Sequence, residues 1–209
     1  MNKLGDLSCN EFLTELASAA PAPGGGGGAA MAGALAAALA SMVANLTIGK
    51  EKFADREPEV KELLEQAEAE RVRLLALVDE DAAVFNSFMS CYKLPKTTDE
   101  EKAARTAAIR AAAKQAATVP LNIARSSFAV LKLADRLVVA GNPGVITDGA
   151  CSGLLARAAL RCAEYNVRIN LGLTKDEAWN AQAATELKQL LAEAETLKNR
   201  LLAVTDKAL

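Results

Sequence analysis

Residues 27–46 read GGAAMAGALAAALASMVANL, a stretch without a charged side chain. Its length suits a membrane span. Alanine and glycine gain little from lipid, however, and the stretch lacks the Leu/Ile/Phe density and aromatic flanks of real spans. A helix that is apolar all round is also the signature of a buried central helix in a bundle, where small residues let neighbours approach closely. The stretch is therefore read as the core helix of an all-α protein, and no membrane is expected as a partner.

The rest of the chain agrees. It has 209 residues, 51% hydrophobic but only 4% aromatic, with an apolar content dominated by alanine and leucine. Those residues lead the helix scale, whereas strands favour β-branched and aromatic ones. The length predicts one domain over 1–209. A formal net charge of −2 argues against nucleic acid, since phosphate contacts need a concentrated basic surface. The absence of histidine excludes Ser-His-Asp and Cys-His catalysis and the HExxH zinc site. A catalytic proton must then ride on a carboxylate, Lys, Tyr, Cys or water. Cys9, Cys91, Cys151 and Cys162 form no CxxC pair, so no metal is expected, and they read as small buried thiols. With no apolar signal core in Met1–Asp6, a cytoplasmic protein is expected.

Punctuation divides the chain into about six helices, which read as an all-α bundle. Ser8-Cys9-Asn10-Glu11 is a capping box opening a short helix with Phe12, Leu13 and Leu16. Pro21-Ala22-Pro23 and Gly24–Gly28 break it, and the Ala-rich helix runs on to about Ile48. Asp55 and Pro58 mark the start of a long amphipathic helix that ends at Leu94-Pro95. Thr98-Asp99-Glu100-Glu101 is a second capping box, and Pro120 is expected to kink or split the helix that follows. Gly141-Asn142-Pro143-Gly144 is a tight turn with a helix restarting near Thr147-Asp148. Thr174-Lys175-Asp176-Glu177 is read as a third capping box.

Several motifs admit both a chemical and a plain reading. Gly24–Gly28 is not a dinucleotide fingerprint, because no strand precedes it. A glycine run entering a helix still leaves backbone N–H groups open to a ligand, unless it is only a connector. Asp79 and Asp81 cannot face the same way at 100° per residue. Asp81 borders the apolar face, where a carboxylate either lines a cleft or sits at the edge in water. The Asn142–Asp148 turn is apolar and Pro/Gly-fixed, which suits a site wall, although Asp or Thr there is also an ordinary N-cap. Lys50-Glu51-Lys52-Phe53 and Tyr92-Lys93 place cations beside rings, fit for a flat acidic ligand or merely for a helix end.

Together these segments resemble the cyclodeaminase/cyclohydrolase family of tetrahydrofolate enzymes. The resemblance spans nearly the whole chain, and its most specific element is Pro21-Ala22-Pro23-Gly24-Gly25-Gly26 running into an Ala/Gly helix. Met42–Lys50, Asp81–Asn86, Leu94-Pro95-Lys96, Gly141-Asn142 and Thr147-Asp148 follow in the family's order. Ala22 and Gly27 stand where the family usually has Thr and Ser.

The resemblance implies a mostly antiparallel helical bundle that forms a homodimer with a folate groove near its interface, on which the glycine loop, Asp81 and the Asn142–Asp148 turn converge. It implies hydrolysis of 5,10-methenyltetrahydrofolate to the 10-formyl compound. The alternatives are formiminotetrahydrofolate cyclodeaminase and a non-catalytic folate-binding or interaction bundle. Asp148 is then expected as the base and Asp81 as electrostatic stabiliser, with the roles exchangeable. Pro23, Gly24, Gly25, Gly26, Lys50, Lys52, Phe85, Lys93, Asn142 and Thr147 are expected to contact substrate. A tetrahydrofolate derivative is the expected ligand, with neither metal nor redox cofactor.

Overall fold

The computed structural model describes residues 3–209 and contains six α-helices: α1 Cys9–Leu16, α2 Gly24–Asn45, α3 Glu57–Cys91, α4 Asp99–Ala140, α5 Ile146–Thr174 and α6 Glu177–Ala208. Single 3-10 turns lie at Leu4–Asp6, Glu51–Phe53 and Pro143–Val145, and no strand occurs among the described residues. Met1 and Asn2, part of the segment searched above for a leader, lie outside the described residues. The all-α reading holds.

The uncharged helix is the hub. It packs against α3, α4 and α5. It is long and apolar enough to cross a membrane by length and composition, yet most of that window is buried within the bundle. Its small residues do what their size allows. A Cβ on Gly33 would stand 3.0 Å from both Leu74 Cδ2 and Ser127 Oγ, so side chains of α3 and α4 press directly on the α2 backbone there. Ala30, Ala36, Ala37, Ala40 and Ala44 are wholly buried around it.

Contacts fix the directions. Ser152 Oγ donates to the Ala36 carbonyl at 2.7 Å and Gly25 faces Asn166, so α5 runs antiparallel to α2. Asp81 faces Gly26 while Leu74 faces Gly33, so α3 is antiparallel as well. α4 pairs antiparallel with α3 and α5, as Arg136–Glu59 and Asn170–Ala116 record. The mostly antiparallel bundle that the family resemblance implied is what forms.

Local chemistry sets most ends. The boxes at Ser8 and Thr98 both form, each hydroxyl accepting from the N3 backbone N–H and each Glu side chain accepting from the cap N–H. Four sequence expectations need correction. Gly24–Gly28 do not precede α2 but form its first turns. The residue before α3 is Arg56, one beyond Asp55. Thr174 ends α5, and the cap of α6 is Asp176, whose carboxylate accepts from the Trp179 N–H at 3.1 Å. Cys9, Cys151 and Cys162 are exposed and Cys91 is half-buried rather than buried, the α5 stripe that carries Cys151 and Cys162 facing outward.

Pro120 does not split α4, which runs unbroken through it over 42 residues in all. A proline leaves the carbonyl four residues earlier without its N–H partner. That carbonyl belongs to Ala116, and the Asn170 Nδ2 on α5 donates to it at 2.9 Å. The break is repaired by a neighbouring helix.

Candidate active site

The glycine start of α2 roofs a cavity of about 160 Å³. Pro21–Gly26 form one side, Asp81, Phe85 and Phe88 of α3 another, and Ala116 and Pro120 of α4 with Asn166 and Asn170 of α5 the rest. Gly24 adopts φ +58°, a left-handed conformation that other residues enter at a cost, and it turns the chain from Pro23 into the helix. The first in-helix bond runs from the Gly27 N–H to the Pro23 carbonyl, 3.1 Å. Among the described residues no side chain caps α2, so the earlier glycine N–H groups remain available at the positive end of the helix dipole.

Asp81 reaches up to this roof. A Cβ on Gly26 would lie 2.6 Å from Asp81 Cγ and closer still to both carboxylate oxygens, so only glycine leaves the carboxylate room. Asp79, two residues earlier, turns away and accepts from the Leu4 N–H at 2.6 Å. Among the described residues lining the cavity, Asp81 is the sole ionisable side chain. Burial pushes its carboxyl up to about 6, with the Gly27 backbone N–H acting in the opposite direction. Such a group both accepts and returns a proton near neutral pH.

Pro23, Gly24, Gly25, Gly26, Asp81 and Phe85 thus come together as expected. The other sequence candidates do not join them within one chain. Asp148 and Thr147 lie in the first turn of α5, about 27 Å along that helix from Asn166. Asn142 shares that far end. Its N–H donates to Thr47 Oγ1 at 2.9 Å, its Nδ2 to the Leu46 carbonyl at 3.1 Å, and its Oδ1 accepts from Gly144 at 3.0 Å. Those bonds hold the turn against the end of α2. Lys50 and Lys52 flank the same end, where Lys52 lies over the Phe53 ring. Lys93 is exposed just beyond α3. The antiparallel course of α2 and α5 explains the separation: one end carries the glycines, the other the turn.

Sequence reasoning missed Phe88, Pro120, Asn166 and Asn170. Two signals were present: Phe88 follows Asp81 by two helical turns, and two amides four residues apart share a helix face. Gly27, where the resembled family usually has Ser, would bring a Cβ within 2.9 Å of Pro23 Cβ, so the roof is closely packed there.

Fold and cavity define a class: an all-helical bundle holding one carboxylate beneath a glycine-built helix start. The comparisons with known proteins say which. A family model described as formiminotransferase-cyclodeaminase matches residues 8–189, and the chain belongs to this family. A methenyltetrahydrofolate cyclohydrolase of Methylorubrum extorquens is 45% identical, covering 94% of this chain and 95% of that protein. The formimidoyltransferase-cyclodeaminase of Sus scrofa is 35% identical over 88% of this chain, which spans 34% of that protein. The crystal structure of a formiminotetrahydrofolate cyclodeaminase from Thermotoga maritima aligns with TM-score 0.88 at 30% identity over 98% of both chains. These relatives are enzymes.

Proposed function

We propose that the protein is a methenyltetrahydrofolate cyclohydrolase, converting 5,10-methenyltetrahydrofolate to 10-formyltetrahydrofolate. The observation that carries this reading is the Asp81 carboxylate in a cavity that, among the described residues, has no other ionisable side chain and no cation in its lining. The methenyl substrate is itself a cation, its charge shared between one carbon and two nitrogens. A partly desolvated carboxylate beside it stabilises that charge more strongly than water does. The 45% identical relative of nearly equal length bears the name of this activity.

The reaction then proceeds in two stages. Water attacks the methenyl carbon, and Asp81 takes the proton that the water loses. The resulting carbon bears a hydroxyl and bonds to both nitrogens. Asp81 returns the proton to N5 as the N5–carbon bond breaks, the hydroxyl gives up its own proton, and the carbonyl of the formyl group forms. One proton is released overall. The open N–H groups of the glycine turn suit the oxygen that gains negative charge. The carbon is activated by its own positive charge, so the proposal includes no metal or redox cofactor. The cytoplasm is the proposed compartment, matching the unpaired thiols.

The working form in this proposal is a homodimer. Leu35 and Met42 on α2, with Leu154, Tyr165 and Ile169 on α5, are 43–73% exposed along one side of the bundle, a large apolar face for a lone chain. Gly24 and Gly25 line both the cavity and a groove on this face. A two-fold axis across its middle would set the Asp148 end of one copy beside the glycine end of the other. Each site would then combine Asp81 with the second copy's turn. Mixing the separately inactive Asp81→Asn and Asp148→Asn proteins should restore about a quarter of wild-type activity, because half the dimers hold one intact site. No recovery in demonstrably mixed dimers would refute a shared site.

The activity itself is tested by following the near-ultraviolet absorbance of methenyltetrahydrofolate. Decay clearly above the buffer rate is expected with purified protein. Without acceleration, ammonia release from formiminotetrahydrofolate would establish the cyclodeaminase, which the Thermotoga neighbour favours. Failure of both, with no folate-dependent rise in melting temperature, would leave a non-catalytic bundle.

A further inference from the structure

Asn166 and Asn170 stand one turn apart on α5, and both line the Asp81 cavity. Their orientation follows from what surrounds them. Asn166 Nδ2 donates to the Cys162 carbonyl at 2.9 Å. Asn170 Nδ2 donates to the carbonyls of Ala116 and Asn166, each at 2.9 Å. A carbonyl can only accept, so these bonds fix the nitrogen end of each amide. The oxygen end is what remains, and among the described residues no donor takes it up. At Asn170 the constraint is strongest, because the Ala116 carbonyl has lost its helical partner to Pro120.

The cavity therefore offers two amide oxygens and one carboxylate as acceptors, against the glycine N–H groups as donors. We propose that Asn166 and Asn170 determine specificity by accepting hydrogen bonds from the amino edge of a flat aminopyrimidinone ring, the kind tetrahydrofolate carries. This rests on the folate reading above. The 2-amino group and ring N–H groups of such a heterocycle supply the donors that the two oxygens lack. A ring without them would strand two part-buried acceptors, and unpaired acceptors of that kind discriminate strongly between related ligands.

The test compares tetrahydrofolate with its 2-desamino analogue by calorimetric titration of wild type, Asn166→Leu and Asn166→Ser. Asn166 is the informative position, since its side-chain bond goes to a carbonyl within its own helix and its loss leaves the fold intact. Wild type should prefer tetrahydrofolate by about tenfold or more. Both variants should bind it more weakly and lose most of that preference, while melting within a few degrees of wild type. A purely structural role for Asn166 would weaken both ligands equally and leave the preference unchanged, which overturns the proposal. So does a wild type that binds the two ligands alike. If the wild type shows the preference but hydrolyses nothing, the activity reading fails and this one stands. Binding of neither ligand sinks both.

Discussion

Asp81→Asn is expected to lower turnover of methenyltetrahydrofolate by about a hundredfold, combining the loss of a proton carrier with the loss of the charge facing the cation. The same variant should be more stable than wild type at high pH. Burial raises the carboxyl from 3.8 to about 6, so between those values the folded protein holds a proton that the unfolded chain releases. Stability then falls as pH rises through that window, and above it the wild type carries an unfavourably desolvated charge. Asparagine removes that charge. A gain on the order of 1–2 kcal/mol is expected at pH 8, shrinking to nothing near pH 4. Thermal melts of both proteins across pH 4–8 read it directly. Equal turnover, or a stability difference that does not vary with pH, would remove Asp81 from the centre of the site. Activity lost while stability is gained is the pattern of a residue kept for function.

Gly26→Ala should cost nearly as much activity by a different route. The new methyl would overlap the Asp81 carboxylate, which is the free end of a short side chain and can swing aside. The fold should therefore survive, with a melting temperature within a few degrees of wild type. The displaced carboxylate would lose its place beneath the helix start, and turnover should fall by about 10²-fold, in the range that small misplacements of reacting groups produce. A Gly26→Ala enzyme with normal kcat would mean that the cavity geometry described above is not the working one. An unfolded variant would instead place the glycine's importance in packing.

The legible parts of the fold were those written in adjacent residues. The hydroxyls of Ser8 and Thr98 each had a glutamate three positions on, and both boxes formed. The divergence of Asp79 and Asp81 followed from the helical turn alone. The uncharged stretch announced the central helix through its lack of any polar face. Long-range facts were hidden. Nothing near Pro120 shows that its helix continues, because the repairing amide lies fifty residues away on α5. Thr174 matched a capping pattern but lost to Asp176, since the chain turns at Lys175 through a left-handed conformation. The distance between Asp81 and Asp148 needed the antiparallel pairing of α2 with α5, which no local motif states.

The carbonyl of Ala116 has consequences for how this chain tolerates substitution. Its hydrogen bond crosses from α4 to α5 because Pro120 cannot supply one, so positions 120 and 170 are energetically coupled. A residue with its own N–H at 120 would satisfy the carbonyl from within α4 and leave the Asn170 amide held only by its bond to the Asn166 carbonyl. A residue without a donor at 170 would strand the carbonyl while the proline remains. A substitution at either position alone disturbs the wall they share, and the effects of two substitutions there are expected to depart from additivity. The two positions thus act on the cavity wall as one unit.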